Sequence, residues 1–182
     1  PQETDHGEHL DVLFRNMGNG NFSEMTGQAG LGDAEYSQGC TVGDFDNDGF
    51  PDLYVANIGE NRLYRNQGDG TFGDVTTESG ISGKLWTSSC LLADLNGDGY
   101  PDIFDVNYLS IRDAPRTMCL KGHEARSCGP GAFAAEPDQV YRNLGQGQFQ
   151  NVTESSGIAV PEGKGLGIVA ADFTGTGRLD LF

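Results

Sequence analysis

Two short acidic segments hold the side chains in this sequence that are best suited to chemistry. The first runs from Asp44 to Asp52 as Asp-Phe-Asp-Asn-Asp-Gly-Phe-Pro-Asp, and the second runs from Asp94 to Asp102 on the same frame. In a tightly wound loop the side chains of positions 1, 3 and 5 converge on one point. The carbonyl of position 7 joins them and the carboxylate of position 9 closes the shell. Uncompensated carboxylates this close repel one another, so an ordinary surface turn is the less favourable interpretation.

This donor set predicts a calcium site in each segment, because it consists of hard oxygen ligands without imidazole or thiolate. The predicted ligands of the first loop are Asp44, Asp46, Asp48, the Phe50 carbonyl and Asp52. Those of the second loop are Asp94, Asn96, Asp98, the Tyr100 carbonyl and Asp102. An EF-hand would place a glutamate at position 12, where the first loop has Val55. A dockerin-like alternative stays open only for the second loop, which has Asp105 there.

A third segment resembles the first two but has lost part of its charge. Its candidate ligands are Asp172, Thr174, Thr176, the backbone at Arg178, and Asp180. Two carboxylates have become hydroxyls, and the Arg178 guanidinium supplies positive charge where an ion would otherwise sit. The sequence therefore predicts two calcium ions and leaves a third as the weaker expectation.

These loops recur because the chain contains an internal repeat. Residues 13–16, 63–66 and 140–143 align, and each is followed by the same frame of two glycines and a phenylalanine. The second and third copies start 50 and 77 residues after their predecessors, so an insertion at 108–139 separates them. Such self-similarity is the signature of a repeat architecture.

One period predicts four short antiparallel strands, at 40–45, 52–56, 62–66 and 71–76. The first pair flanks the acidic loop and the second pair flanks an Asp69-Gly70 turn, which is typical of a hairpin. Four strands in a repeat of this length are the plan of a β-propeller blade. The alternative is a plain antiparallel sandwich with chance similarity. The predicted fold is therefore all-β, with an N-terminal tail at 1–10 and a partial propeller at 11–182.

The repeat count predicts about three blade equivalents: two strands, two full blades and two final strands. A closed ring needs four to eight blades. We therefore expect the chain to be part of a larger propeller whose open edges pair with further blades or with other chains. The sequence starts at Pro1 without a signal peptide, which indicates a mature protein or a fragment.

Charge and cysteine content narrow the function classes. The net charge of −16 argues against a nucleic-acid or anionic-membrane partner, and no apolar run is long enough to cross a bilayer. Cys119 and Cys128 are spaced for a loop-stapling disulfide, with two free thiols as the alternative. Cys40 and Cys90 hold equivalent positions in neighbouring blades, so they are either buried thiols, which we favour slightly, or an inter-blade bridge.

Strand parity places the blade-to-blade linkers and the insertion at the end of the propeller opposite the acidic loops. This end carries aromatic and basic residues, which form a candidate ligand face unless they serve only as solvated loop or blade packing. The candidates are Tyr36, Trp86, Arg112 and Arg116.

The repeated motif resembles the FG-GAP and VCBS-type repeats, in which integrin α subunits carry the same nine-residue loop. Leu63-Tyr64-Arg65-Asn66 followed by Asp74-Val75-Thr76 is similar to secreted proteins grouped with the ASPIC/UnbV domain, including cartilage acidic protein. This resemblance implies an extracellular, calcium-stabilised propeller, usually seven-bladed, that serves adhesion or binding. The sequence contains no nucleophile–base pairing, no HExxH motif, no phosphate loop and no cofactor fingerprint, so we expect no catalysis. The expected module is extracellular, at the cell surface or periplasmic, and binds a protein or carbohydrate ligand. The alternative is a non-catalytic propeller, or a carbohydrate-binding module, within a larger secreted lyase or hydrolase.

Overall fold

The computed structural model describes residues 11–110, 118–158 and 162–182, and these form an all-β arrangement of short antiparallel strands. In chain order the strands are β1 (Phe14–Gly18), β2 (Asn21–Glu24), β3 (Tyr36–Gly43), β4 (Asp52–Glu60), β5 (Arg62–Asn66), β6 (Phe72–Asp74), β7 (Lys84–Ala93), β8 (Asp102–Asn107), β9 (Met118–Lys121), β10 (Glu124–Ser127), β11 (Gln139–Asn143), β12 (Phe149–Asn151), β13 (Ala170–Ala171) and β14 (Asp180–Leu181).

The strands pair as the repeat predicts. Strands β3 to β6 form a first full blade, and β7, β8, β11 and β12 form a second. The pair β1–β2 is an N-terminal half-blade and β13–β14 is a C-terminal half-blade. The predicted all-β partial propeller is therefore confirmed, although the division of the chain at residue 10 stays a prediction because residues 1–10 lie outside the described part.

Strand β4, which has nine residues, joins the two full blades. β4 pairs with β3 and β5 in its own blade, and its last three residues then pair with the start of β7, with Ile58 opposite Trp86 and Glu60 opposite Lys84. The two blades are therefore linked by backbone hydrogen bonds as well as by side-chain packing.

The main core lies between the two full blades. Tyr54, Ala56 and Leu63 of the first blade pack against the facing side of the second, which contributes Ile103 and Tyr141 among others. The strand alternation turns these side chains toward one interface. A smaller cluster on the far side of the second blade joins Phe104, Val106 and Val140 to Ile168, just before β13. The second blade thus buries one apolar face against the first blade and the other against residues near the C-terminal half-blade.

Three four-residue helices interrupt the predicted strand pattern: α1 (Thr26–Ala29), α2 (Thr76–Ser79) and α3 (Thr153–Ser156). The strand predicted at 71–76 ends instead at Asp74, because the Asp74 carboxylate accepts the Thr76 N–H at 2.9 Å and starts a helical turn. The Thr76 hydroxyl in turn accepts the Leu63 N–H at 2.9 Å. Gly80 ends α2 in the left-handed region at φ 80°, which explains the repeated glycine at this position.

The insertion contains a hairpin of its own, β9–β10, and the Cys119–Cys128 disulfide closes it. The predicted pairing of these two cysteines is therefore confirmed. A single bridge between Leu109 and Ala135 anchors the base of the insertion.

The equivalent cysteines Cys40 and Cys90 are not bridged, and they differ in burial. Cys90 is buried between the two blades, and this burial raises the pKa of its thiol. Cys40 is exposed, so the expectation of a buried thiol is wrong at this position. The reason is that Cys40 faces the N-terminal half-blade, where no inner strand of the described chain covers it.

Candidate metal centres

The first acidic loop brings three of its predicted ligands together. Asp44, Asp46 and Asp48 each offer a carboxylate oxygen, and these oxygens lie within 4.8 Å of one another. Among the residues that the structure describes, this is the single group of three or more acidic, histidine or cysteine side chains with such convergence. The donors are oxygens only, so the arrangement fits a hard cation such as Ca²⁺.

Backbone hydrogen bonds wind this loop. The Asp44 carboxylate accepts the N–H groups of Asp48 at 3.0 Å and Gly49 at 2.9 Å, and the Asp48 carboxylate accepts the Phe50 N–H at 2.8 Å. Two residues have positive φ, Asn47 at 58° and Gly49 at 92°. Asparagine and glycine are the residues that enter this region at least cost, so the sequence supplies them where the turn requires them.

The second loop repeats this framework with one charge fewer. Asp94 accepts the N–H groups of Gly97, Asp98 and Gly99 at 2.8 to 3.1 Å. The side-chain oxygen Oδ1 of Asn96 accepts the Asp98 N–H at 2.8 Å, and its side-chain nitrogen Nδ2 donates to the Asp98 carboxylate at 2.9 Å. The side chains of positions 1, 3 and 5 therefore share one hydrogen-bonded network, as in the first loop.

The aspartates at position 9 of the two loops, Asp52 and Asp102, have a structural role that the sequence did not predict. Asp52 is fully buried, and its two oxygens accept the N–H groups of Phe45 at 3.0 Å and Asn66 at 2.8 Å. Asp102 does the same with Leu95 at 3.1 Å and Asn143 at 2.8 Å. Each carboxylate thus clamps the start of its loop to the third strand of its blade. Contact of either residue with an ion stays a prediction.

Burial sets the acidity of these two clamps. Desolvation raises the pKa of Asp52 to about 6, although the hydrogen bonds from Asn66 and Phe45 act in the opposite direction. Desolvation likewise raises the pKa of Asp102. A nearby cation would favour the ionised form of both carboxylates.

Arg65 is a further charged residue at the first loop that the sequence did not single out. Its guanidinium nitrogen Nε lies 2.8 Å from Oδ2 of Asp46, and the guanidinium carbon lies 5.6 Å from the centre of the Phe45 ring. Arg142 holds the same place in the second blade, but it donates to Gln150 at 3.2 Å. The available signal was the arginine that precedes the asparagine in every copy of the repeat.

Asn47 connects the two loops directly. Its side-chain amide donates to the Gly99 carbonyl at 3.0 Å, so the first loop is hydrogen-bonded to the second. The equivalent residue of the second loop is Gly97, which has no side chain to continue the chain of contacts.

The acidic loops and the hairpin turns share one end of the blades, as strand parity predicts. The Phe50 ring lies so close to Gly68 that an added Cβ would come within 2.7 Å of it. The Tyr100 ring lies beside the equivalent Gly145, where an added Cβ would be 3.5 Å from it, in ordinary van der Waals contact. Whether the carbonyls of Phe50 and Tyr100 also face an ion stays a prediction.

The third loop keeps the fold of the others with fewer charges. Asp172 accepts the N–H groups of Gly177 at 2.8 Å and Thr176 at 2.9 Å, and these bonds lower its pKa. Asp180 accepts the hydroxyl of Thr174 at 3.0 Å. Arg178 is exposed and forms no ion pair within the described ranges. This loop brings together two carboxylates and two hydroxyls.

The candidate ligand face lies at the opposite end. Tyr36 is opposite Ile58, and Ile58 is opposite Trp86, so the three residues form one row across β3, β4 and β7. Trp86 packs edge-on against Tyr108 with ring centres 5.4 Å apart. The Lys164 ammonium donates to the Pro130 carbonyl at 3.0 Å, so a linker meets the insertion here as predicted. Arg112 and Arg116 lie outside the described residues.

The paired strands and the repeated loops agree with a comparison with known families. The sequence profile of the FG-GAP-like repeat matches residues 5–55, 44–104 and 131–182. The chain belongs to the FG-GAP-like repeat family. FG-GAP repeats are typical of extracellular binding and adhesion propellers, and they often bind calcium. The disulfide at the insertion of this FG-GAP chain fits such a location. The finer ASPIC/UnbV assignment stays a prediction.

A search of curated proteins gives no match to this FG-GAP chain. Within the described residues, no helix has the length and apolar character that a membrane span requires.

Proposed function

We propose that this chain is a non-catalytic binding or scaffold module of an extracellular protein, and that Ca²⁺ at the first and second acidic loops stabilises it. The observation that carries the proposal is the convergence of the Asp44, Asp46 and Asp48 oxygens within 4.8 Å. A bound cation would lower the free energy of this group, because it would remove the repulsion between the three carboxylates. The family assignment supports the extracellular setting.

Calcium would act here on stability, because each loop joins the first two strands of a blade. A ligand that binds only the folded state adds about 2.7 kcal/mol per site at a free concentration 100 times its dissociation constant. Two occupied loops would add about 5 kcal/mol, which corresponds to a rise of about 10 °C or more in melting temperature.

The test compares melting temperatures in Ca²⁺ and in chelator. The double variant Asp46→Ala, Asp98→Ala removes one central carboxylate from each loop and should abolish the response to Ca²⁺. The matched control Glu78→Ala, Glu154→Ala changes the net charge equally, but its two exposed glutamates lie in α2 and α3. A melting temperature of the native chain that does not change between Ca²⁺ and chelator would refute calcium stabilisation.

A carbohydrate ligand at the opposite end is the second candidate function, and the aromatic row favours it. Tyr36 is 74% exposed and lies in register with Trp86 across Ile58, and the last two are partly exposed, so two aromatic rings and an aliphatic side chain form one row. Aromatic rings with a polar tip are suited to ligand faces of this kind. Titration with a panel of soluble neutral and acidic oligosaccharides should show binding that Tyr36→Ala removes and that Phe22→Ala, which truncates an exposed ring elsewhere, preserves. No binding by the native chain would count against this function.

A further inference from the structure

A buried carboxylate lies between the two full blades with one of its oxygens unpaired. Asp105, on β8, is 1% exposed. Its Oδ2 accepts the Tyr54 hydroxyl at 3.0 Å and the Asn61 amide at 2.9 Å. Its other oxygen, Oδ1, is also buried and has no hydrogen-bond partner among the described residues. A buried acceptor of this kind costs free energy unless a group from outside the chain pairs with it.

A small polar cavity adjoins this carboxylate. Its volume is about 10 Å³, which is about the space that one water-sized particle needs. Besides Asp105, most of its lining consists of residues with side-chain oxygens, which are Glu60, Asn61, Ser82, Thr87, Gln139 and Tyr141. We propose that this cavity binds a single monovalent cation, Na⁺, and that Oδ1 of Asp105 is its charged ligand.

The hydrogen-bond donors around the cavity are already used by other acceptors. The Tyr141 hydroxyl donates to the Ser82 carbonyl, and the Thr87 hydroxyl donates to Oδ1 of Asn107 at 2.9 Å. The Asn61 amide donates to the Thr87 hydroxyl at 3.1 Å as well as to Oδ2 of Asp105. These groups therefore offer oxygen lone pairs to the cavity, which suits a cation.

Charge distinguishes a cation from a water molecule at this place. Of the described residues that line the cavity, none is lysine, arginine or histidine. The titratable groups that face Asp105 or the cavity are Tyr54 and Glu60 on β4, Cys90 on β7, Asp138 just before β11, and Tyr141 on β11. Glu60 itself pairs with Arg62 at 3.3 Å. A water molecule would satisfy Oδ1 but leave the buried charge of Asp105 uncompensated, whereas a cation supplies both.

The choice of Na⁺ follows from charge and size. One carboxylate balances one positive charge, whereas a protein site for Ca²⁺ takes about six to eight oxygen ligands. A cavity no larger than one water molecule favours Na⁺ over the larger K⁺. A proton is the competitor of Na⁺ for this carboxylate, because burial raises the pKa of Asp105 to about 7.

The test measures the melting temperature in Na⁺ and in tetramethylammonium, which is too large for the cavity, at equal ionic strength. Saturating Ca²⁺ in both salts keeps the acidic loops in one state, so the result does not depend on the calcium proposal. At pH 8.5 Asp105 is ionised, and Na⁺ at about ten times its dissociation constant should raise the melting temperature by about 3–6 °C. At pH 5 a proton occupies the carboxylate, so this rise should disappear.

Two variants with the same change of charge locate the site. Asp105→Asn keeps an acceptor for Tyr54 and Asn61 but has no charge, so it should lose the response to Na⁺. Asp138→Asn is the matched control, because Asp138 does not line the cavity and an asparagine can still accept the Asn107 N–H, now at 2.8 Å. This control should keep the response.

Two outcomes overturn the proposal. One is a native chain that melts at the same temperature in Na⁺ and in tetramethylammonium at pH 8.5. The other is a rise in Na⁺ that Asp105→Asn retains in full, because the cation would then bind elsewhere.

Discussion

The first and second acidic loops have the same framework but balance their charge differently. The first loop has four aspartates and an arginine, Arg65, in contact with Asp46. The second has three aspartates and Asn96 at the position of Asp46, and the equivalent Arg142 is turned to Gln150 instead. The net charge of the two sites is therefore the same. This loop therefore accepts either aspartate or asparagine at its third position, and the arginine on the third strand contacts that residue only when it is charged.

The largest expected effect concerns the buried aspartate at position 9, which both loops share. Asp52→Ala or Asp102→Ala leaves two buried backbone N–H groups without an acceptor, so each variant should lose about 3–5 kcal/mol in free energy of unfolding. Urea denaturation in chelator measures this loss without any contribution from the metal. Asp180→Ala, at the half-blade, should lose clearly less because this residue is only half buried. Equal losses at all three positions would contradict the clamp.

A second prediction concerns position 12 of the two segments, where the first has Val55 and the second has Asp105. Burial raises the pKa of Asp105 to about 7, against the hydrogen bonds from Tyr54 at 3.0 Å and Asn61 at 2.9 Å. Its folded-state pKa lies above the unfolded one, so its stabilising contribution is complete below about pH 4 and is lost as pH rises through 7.

The variant Asp105→Asn isolates this group. In chelator, its stability relative to the native chain should increase between pH 5 and pH 8 by an amount on the order of 2 kcal/mol. Asp52, Asp102 and Asp138 also have raised pKa values, but they are common to both proteins and cancel in the difference. If the free energies of unfolding of the two proteins differ by the same amount at every pH between 5 and 8, Asp105 does not titrate in this range.

Third, Arg65 should compete with calcium for Asp46. Arg65→Gln removes a positive charge 2.8 Å from a ligand oxygen, so Ca²⁺ should bind the first loop about tenfold more tightly, or ~1.4 kcal/mol. Calorimetric titration of an Asp94→Ala background isolates this loop. The control is Arg142→Gln with the first loop disabled by Asp44→Ala, and it should leave the affinity of the second loop unchanged. Weaker binding in Arg65→Gln would mean that Arg65 orients Asp46 for the ion.

The smallest effect concerns the link between the loops. Asn47→Gly makes the first loop like the second, keeps the positive φ, and removes the bond to the Gly99 carbonyl, at an expected cost of about 0.5 kcal/mol in unfolding free energy. Asn47→Ala loses the same bond and adds about 1 kcal/mol of backbone strain. Thermal unfolding of both variants checks the order. Equal destabilisation by glycine and alanine would show that the backbone conformation is not what selects this residue.

The sequence alone predicted the blades, because the repeat places apolar and turn residues in step three times. It also predicted the disulfide and the convergence at the first loop, where spacing fixes which side chains meet. It did not predict α2, since a side-chain to backbone bond at Asp74 decides where β6 ends. Periodicity contains no information about such a competition between strand and turn.

Contacts between segments that are distant in the sequence were also not predicted. The pairing of Arg65 with Asp46, the bond from Asn47 to Gly99 and the burial of Asp105 all depend on how neighbouring segments face each other. Cys40 and Cys90 show the limit best. The repeat makes them equivalent, but Cys90 is covered by the preceding blade and Cys40 is exposed. The local sequence pattern therefore predicts the strand position of a residue within its blade, whereas the burial of that residue depends on the neighbouring blade.

The continuation of β4 into the second blade has a mechanical consequence. Tension that pulls the two full blades apart is borne by the short ladder from Ile58 to Glu60 against Lys84 to Trp86, in addition to the apolar core. The two chain segments run antiparallel in this ladder, so a load along them shears several hydrogen bonds at once, whereas a load across them opens the bonds one after another. The resistance of this module to force therefore depends on the direction of the pull.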